Sequence, residues 1–130
     1  MSDIEKQEHQ RFKIFSGALG EKNSLGPLAE EVASFVASEK VAAKSIGVEY
    51  LEATKRLIIT LGYREGEEFY PVKLTSVGLG KVEDLATRKD FSELERAISE
   101  ASQKLERIIC HELYITEDNE FLIVFMTHEP

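Results

Sequence analysis

Apolar and polar positions alternate in short runs along most of this chain, and two stretches replace that alternation with a helical period. Residues 11–16 place Phe12, Ile14 and Ser16 on one side of an extended backbone and Lys13 and Phe15 on the other, which predicts a first strand. The next ten residues, 17–26, hold Gly17, Gly20 and Gly26 with Asn23 and Ser24 and predict a long loop. Pro27 suits the first position of a helix, and Leu28, Val32, Phe35 and Val36 then recur on one stripe, so a helix is expected to about Lys40. Period two returns in residues 41–51 (Ile46, Val48, Tyr50) and 56–63 (Leu57, Ile59, Leu61, Tyr63), with residues 52–55 as the hairpin turn between them.

After a polar turn around Gly66, residues 69–79 read as another strand, and Pro71 near its start predicts an edge position, since proline cannot donate to a ladder. Gly78 and Gly80 break that pattern, and residues 82–89 form a connector with room for one short helical turn. Asp90 and Glu93 then resemble a capping box, and Phe91, Leu94, Ile98, Ala101 and Leu105 keep helical spacing for four turns. A closing hairpin follows, residues 108–115 and 120–127 around a turn at 116–119. Its last strand is apolar on both faces, Phe121, Ile123 and Phe125 on one and Leu122, Val124 and Met126 on the other, so it is expected to be central under helices or to lie at a subunit contact.

The two halves resemble each other. An offset of 64 residues sets Tyr114 on Tyr50, Ile123 on Ile59 and Phe125 on Leu61, and a small gap brings Leu94 onto Leu28 and Ile98 onto Val32. Each half then reads strand, helix, strand, strand, a pseudo-repeat over residues 11–66 and 69–130. The expected fold is a single α+β domain over residues 1–130 with a frayed segment at 1–10. It has an antiparallel sheet of about six strands with two amphipathic helices packed on one face, or two half-sheets in its place.

At 130 residues, with 42% apolar and 31% charged residues, the chain can bury a core of its own. One cysteine, Cys110, excludes an internal disulfide. Residues 1–10 lack the apolar centre of a signal peptide, and the longest apolar run, residues 121–126, falls far short of the roughly 20 residues of a membrane helix. These features predict a cytoplasmic protein with no membrane partner. The net charge of −8 disfavours a phosphate backbone, so no nucleic-acid partner is expected either. The order helix, three strands, helix is similar to the double-stranded-RNA-binding module, but residues 90–93 are acidic where that module needs a basic helix start, and no family is assigned.

Chemistry-bearing motifs are sparse. Cys110 and His111 are neighbours in a strand and point to opposite faces, so they form no catalytic pair, and Cys110 is expected to be a structural side chain. His111-Glu112 opens like a zinc-protease motif but Ile115 stands where the second histidine belongs. Gly78, Gly80 and Lys81 lack the Ser or Thr of a phosphate loop. No catalytic residue, metal site or cofactor is therefore predicted. The leading expectation is a non-catalytic protein-interaction or regulatory module with a protein partner or as a homo-oligomer, Phe121, Ile123 and Phe125 forming the interface. The alternative is a small-molecule-binding protein or enzyme with a pocket between sheet and helices, Tyr50, His111 and Tyr114 at its mouth and the 17–26 loop as lid.

Overall fold

Residues 10–19, 25–85, 87–116 and 119–129 are described by the computed structural model. Six strands, β1 (Arg11–Ala18), β2 (Ala42–Leu51), β3 (Arg56–Arg64), β4 (Val72–Lys81), β5 (Ile108–Ile115) and β6 (Glu120–His128), accompany two helices, α1 (Pro27–Glu39) and α2 (Ser92–Gln103). The frayed segment expected at the start lies, apart from Gln10, outside the described residues, as does the middle of the 17–26 loop.

The strands form two three-stranded antiparallel sheets, ordered β1-β3-β2 and β4-β6-β5, in place of one sheet of six. Every ladder is antiparallel, which confirms the α+β class. Where the sheets meet, β2 and β5 lie side by side, and the Cys110 thiol rests against the backbone of Ile46. Pro71 directly precedes β4, an edge strand, as its missing donor requires. Gly78 and Gly80 do not end β4 as the sequence suggested. The ladder continues to Lys81 past a register shift between them, with Gly80 at a φ of 88°, so the glycines serve a bulge inside the strand.

α1 begins with Pro27 at its first turn and ends at Lys40, whose left-handed φ of 52° lets its N–H and that of Val41 reach back to the Val36 carbonyl. Its stripe Leu28, Val32 and Val36 is fully buried in one cluster with Leu57, Ile59 and Leu61 of β3 and Leu122, Val124 and Met126 of β6. The helix thus draws on both sheets at once and packs beside both β1 and β4. Phe35 on its flank meets Phe15 and Tyr63 edge to face, at 5.8 and 5.3 Å between ring centres. Leu28 also packs beside Gly17 of β1, where a Cβ would stand at ordinary contact, 3.5 Å from Leu28 Cδ1.

The expectation of two helices sharing one sheet face gives way to an unequal pair. α2 has no fully buried residue, and it adjoins β4 alone among the strands at comparable closeness. Its Leu94, Ala97, Ile98 and Ala101 are half-buried on a helix whose other positions are mostly charged or hydroxylated. Asp90 accepts a hydrogen bond from the Ser92 N–H at 3.0 Å, which with the side chain's own bond to Ser92 holds that carboxyl below the usual range. On β6 the second face, Phe121, Ile123 and Phe125, is buried as well. β6 is therefore the central, doubly covered strand that its sequence predicted.

Truncating Ile59, fully buried in the shared cluster, to alanine should cost about 2–5 kcal/mol in denaturant unfolding. Ile14→Ala, at a side chain 65% exposed on the same sheet, should change stability by no more than about 0.5 kcal/mol.

Candidate interaction surface

The residues marked by sequence do not converge. Tyr114 is buried in the core cluster opposite Leu122, and burial, with the nearby Glu120 carboxylate, pushes its phenol up to about 12. Tyr50, opposite Leu57, is half-buried against the same cluster. His111 points to the other face of β5, exposed, beside the Phe125 ring at 6.3 Å. Strand alternation thus separates His111 from Tyr114, and the three form no shared mouth. The central part of the 17–26 loop, expected as a lid, lies outside the described residues.

Phe121, Ile123 and Phe125 are 3%, 1% and 2% exposed within the single chain, so they present no free interface. Cys110 is half-buried, and desolvation raises its thiol, which suits a packing role rather than a nucleophile.

The most exposed apolar side chains are on the first sheet. Strand alternation puts Phe12 and Ile14 of β1, Ile58 and Thr60 of β3, and Gly47 and Leu51 of β2 on the face turned away from α1. Phe12 and Ile14 are each 65% exposed, far more than any other large apolar side chain described. Their partners explain how they are held: Phe12 stands opposite Gly62 and Ile14 opposite Thr60. A Cβ on Gly62 would lie 2.5 Å from both Gln10 Nε2 and Ser45 Oγ, so the absent side chain makes room for those two polar groups, while the Phe12 ring would stand at ordinary contact, 3.5 Å. The opposite side of β1 is used differently, with Phe15 packed on Phe35 and the Lys13 ammonium 5.9 Å from the same ring.

Charge borders this face unevenly. At its far end Arg56 donates from Nε to Ser16 Oγ at 3.1 Å and from Nη2 to the Ser16 carbonyl at 3.2 Å, so its guanidinium is tied down. Along β2, Glu49 is exposed opposite Ile58, and Glu112 joins it where β5 approaches, in a shallow depression of about 320 Å³ also lined by Gly47, Ile58 and Thr60.

Two other recesses are polar. One of about 480 Å³ lies between the end of β4 and the start of α2, with Lys81, Arg88, Asp90 and Glu93, and its Arg88 already donates to the carbonyls of Glu83 and Asp90. Another of about 190 Å³ is lined by Lys44, Glu67, Tyr70 and His128. There the Lys44 hydrogen bond at 2.6 Å holds the Glu67 carboxyl below its ordinary range, and His128 stacks on Tyr70 at 5.0 Å. Among the described residues no group of three or more His, Cys, Asp or Glu is placed to hold a metal, and no helix is long and apolar enough to cross a membrane.

Compared with protein families, curated proteins and solved structures, the chain matches none of them. Its surface must therefore speak through its own chemistry. Sequence reasoning named Phe12 and Ile14 only as one side of a strand. The missing signal was the side on which α1 would pack, which alternation alone leaves open.

The Tyr114 phenol offers a check on the core. It is neutral in both folded and unfolded chains below about pH 10, so its protonation adds no pH dependence there. Above that the unfolded chain ionises first, and stability should fall as the pH rises toward 12, through the raised folded value. Alkaline absorbance titration of the four tyrosines should show a late-ionising phenol near pH 12 in the folded protein that Tyr114→Phe removes.

Proposed function

We propose that this chain is a non-catalytic protein-interaction module built from two β-α-β-β units, and that it works through the helix-free face of its first sheet. The observation that carries the reading is that face itself. Phe12 and Ile14 stay 65% exposed while the inner face of the same sheet is buried, and contiguous exposed apolar surface on a soluble fold marks contact with a partner. In the two polar recesses Arg88 is bound to backbone carbonyls and Lys44 is paired with Glu67, which supports a non-catalytic reading.

The duplicated construction rests on three matching features. Both halves run strand, helix, strand, strand, and both order their strands first, third, second. Tyr50 and Tyr114 each stand opposite a leucine of the strand that follows, Leu57 and Leu122. Each half also shifts register near the start of its second strand, between Ala43 and Ser45 and between Ile108 and Cys110. The single cysteine suits a reducing compartment, and we place the module in the cytoplasm.

A photo-crosslinking amino acid at position 12, and a second one at the exposed Ser99 on α2 as reference, would test the working surface in cells of the natural source. A partner captured at position 12, not captured at position 99, and lost on Ile14→Ser is the expected outcome. Equal capture at both positions, or none at position 12, would remove this face from consideration.

A further inference from the structure

We propose, on the reading of this face as the docking surface, that its occupant is a basic amphipathic helix of a partner protein. Such a helix would seat an apolar stripe on Phe12, Ile14 and Ile58 and set lysine or arginine over Glu49 and Glu112.

Size argues for a single helix. The face spans three strands, so its outer strands lie about 10 Å apart, close to the diameter of about 10–12 Å of one helix with its side chains. The eight residues of β1 extend for roughly 27 Å, enough for four to five helical turns. The resulting area is about 270 Å² between the strand axes, about a third of the ~800 Å² per partner that a stable dimer interface covers. A second copy of this chain laid sheet to sheet would therefore bury too little on this face, whereas an amphipathic helix presents a stripe of matching width. The chain already seats a helix in this way on the inner side of the same sheet, where Leu28, Val32 and Val36 of α1 cluster with Leu57, Ile59 and Leu61.

Charge selects the kind of helix. Glu49 is exposed beside Ile58, Glu112 borders the same depression, and the described arginines of β3 on this face are engaged, Arg56 with Ser16 and Arg64 with Glu67. An occupant thus meets an apolar strip with carboxylates along its β2 side. The whole chain carries a net charge of −8, which draws in a basic partner at long range and repels a second copy.

The test uses the full chain and two fluorescein-labelled peptides of about four helical turns, both with leucine along one face, one with lysine and one with glutamate on its flanks. Fluorescence anisotropy at near-physiological salt should show saturable one-to-one binding of the lysine peptide and binding at least about tenfold weaker for the glutamate peptide. Ile14→Ser and Phe12→Ser should each weaken the lysine peptide about tenfold, the loss expected for one large apolar contact. Glu49→Gln together with Glu112→Gln should weaken it about threefold or more and flatten its salt dependence. Circular dichroism of the variants confirms that each is folded.

Equal affinity for the two peptides, or a lysine peptide indifferent to Ile14→Ser and Phe12→Ser, would overturn the proposal. Sedimentation showing a dimer that those same variants dissociate would make a second copy the occupant and overturn it as well. Failure of the lysine peptide while position 12 still captures a partner in cells would refute the basic helix and leave the docking surface standing; failure of both would remove the surface too.

Discussion

The burial of one helical stripe against two sheets is the constraint on which the rest of this structure depends. Leu28, Val32 and Val36 are fully buried, and they bring together Leu57, Ile59 and Leu61 from one sheet and Leu122, Val124 and Met126 from the other. A three-stranded sheet alone has too little apolar face to hold itself together in water, and each half of this chain offers only that. By contributing to both sheets, α1 makes the halves one cooperative unit. The β2 and β5 strands meet along one side of that unit, while α1 packs beside β1 and β4.

Everything unequal about the two halves follows from that choice. α1 is committed to the shared core, whereas α2 adjoins β4 with half-buried Leu94, Ala97, Ile98 and Ala101 on a helix that is otherwise polar. Among the described residues no helix covers the outer face of the first sheet, where Phe12 and Ile14 are 65% exposed. Local chemistry there is consistent with a working surface rather than a defect. Gly62 yields its volume to Gln10 and Ser45 beside the Phe12 ring, Arg56 is locked to Ser16, and Glu49 and Glu112 give one border a single sign of charge.

Much of the fold was readable from periodicity. The bounds of β5 match the alternation at residues 108–115, α1 starts at Pro27 as that residue's fixed φ favours, and Pro71 marks an edge strand because it has no N–H to donate. The doubly apolar character of β6 marked it as a central strand. The glycines at 78 and 80 misled, since a turn and a bulge draw on the same conformational freedom and only the neighbouring strand distinguishes them. The candidate site was less legible. Tyr50 and Tyr114, placed by the sequence at the mouth of a pocket, are packed on the core, and Phe121, Ile123 and Phe125, expected as an interface, lie inside.

By itself the sequence determined which residues are extended, which are helical, and which side chains along each strand share a face, because periods of 2 and 3.6 residues are local properties of the backbone. It also determined the acidic charge and the absence of a recognisable catalytic motif. Only the tertiary structure decided that six strands divide into two sheets and that α1 serves both. For the same reason it alone decided that Phe12 and Ile14, rather than Phe121 and Phe125, reach solvent. Alternation assigns residues to two faces but leaves them equivalent, and the choice of which face turns inward belongs to the helix that comes to rest against it.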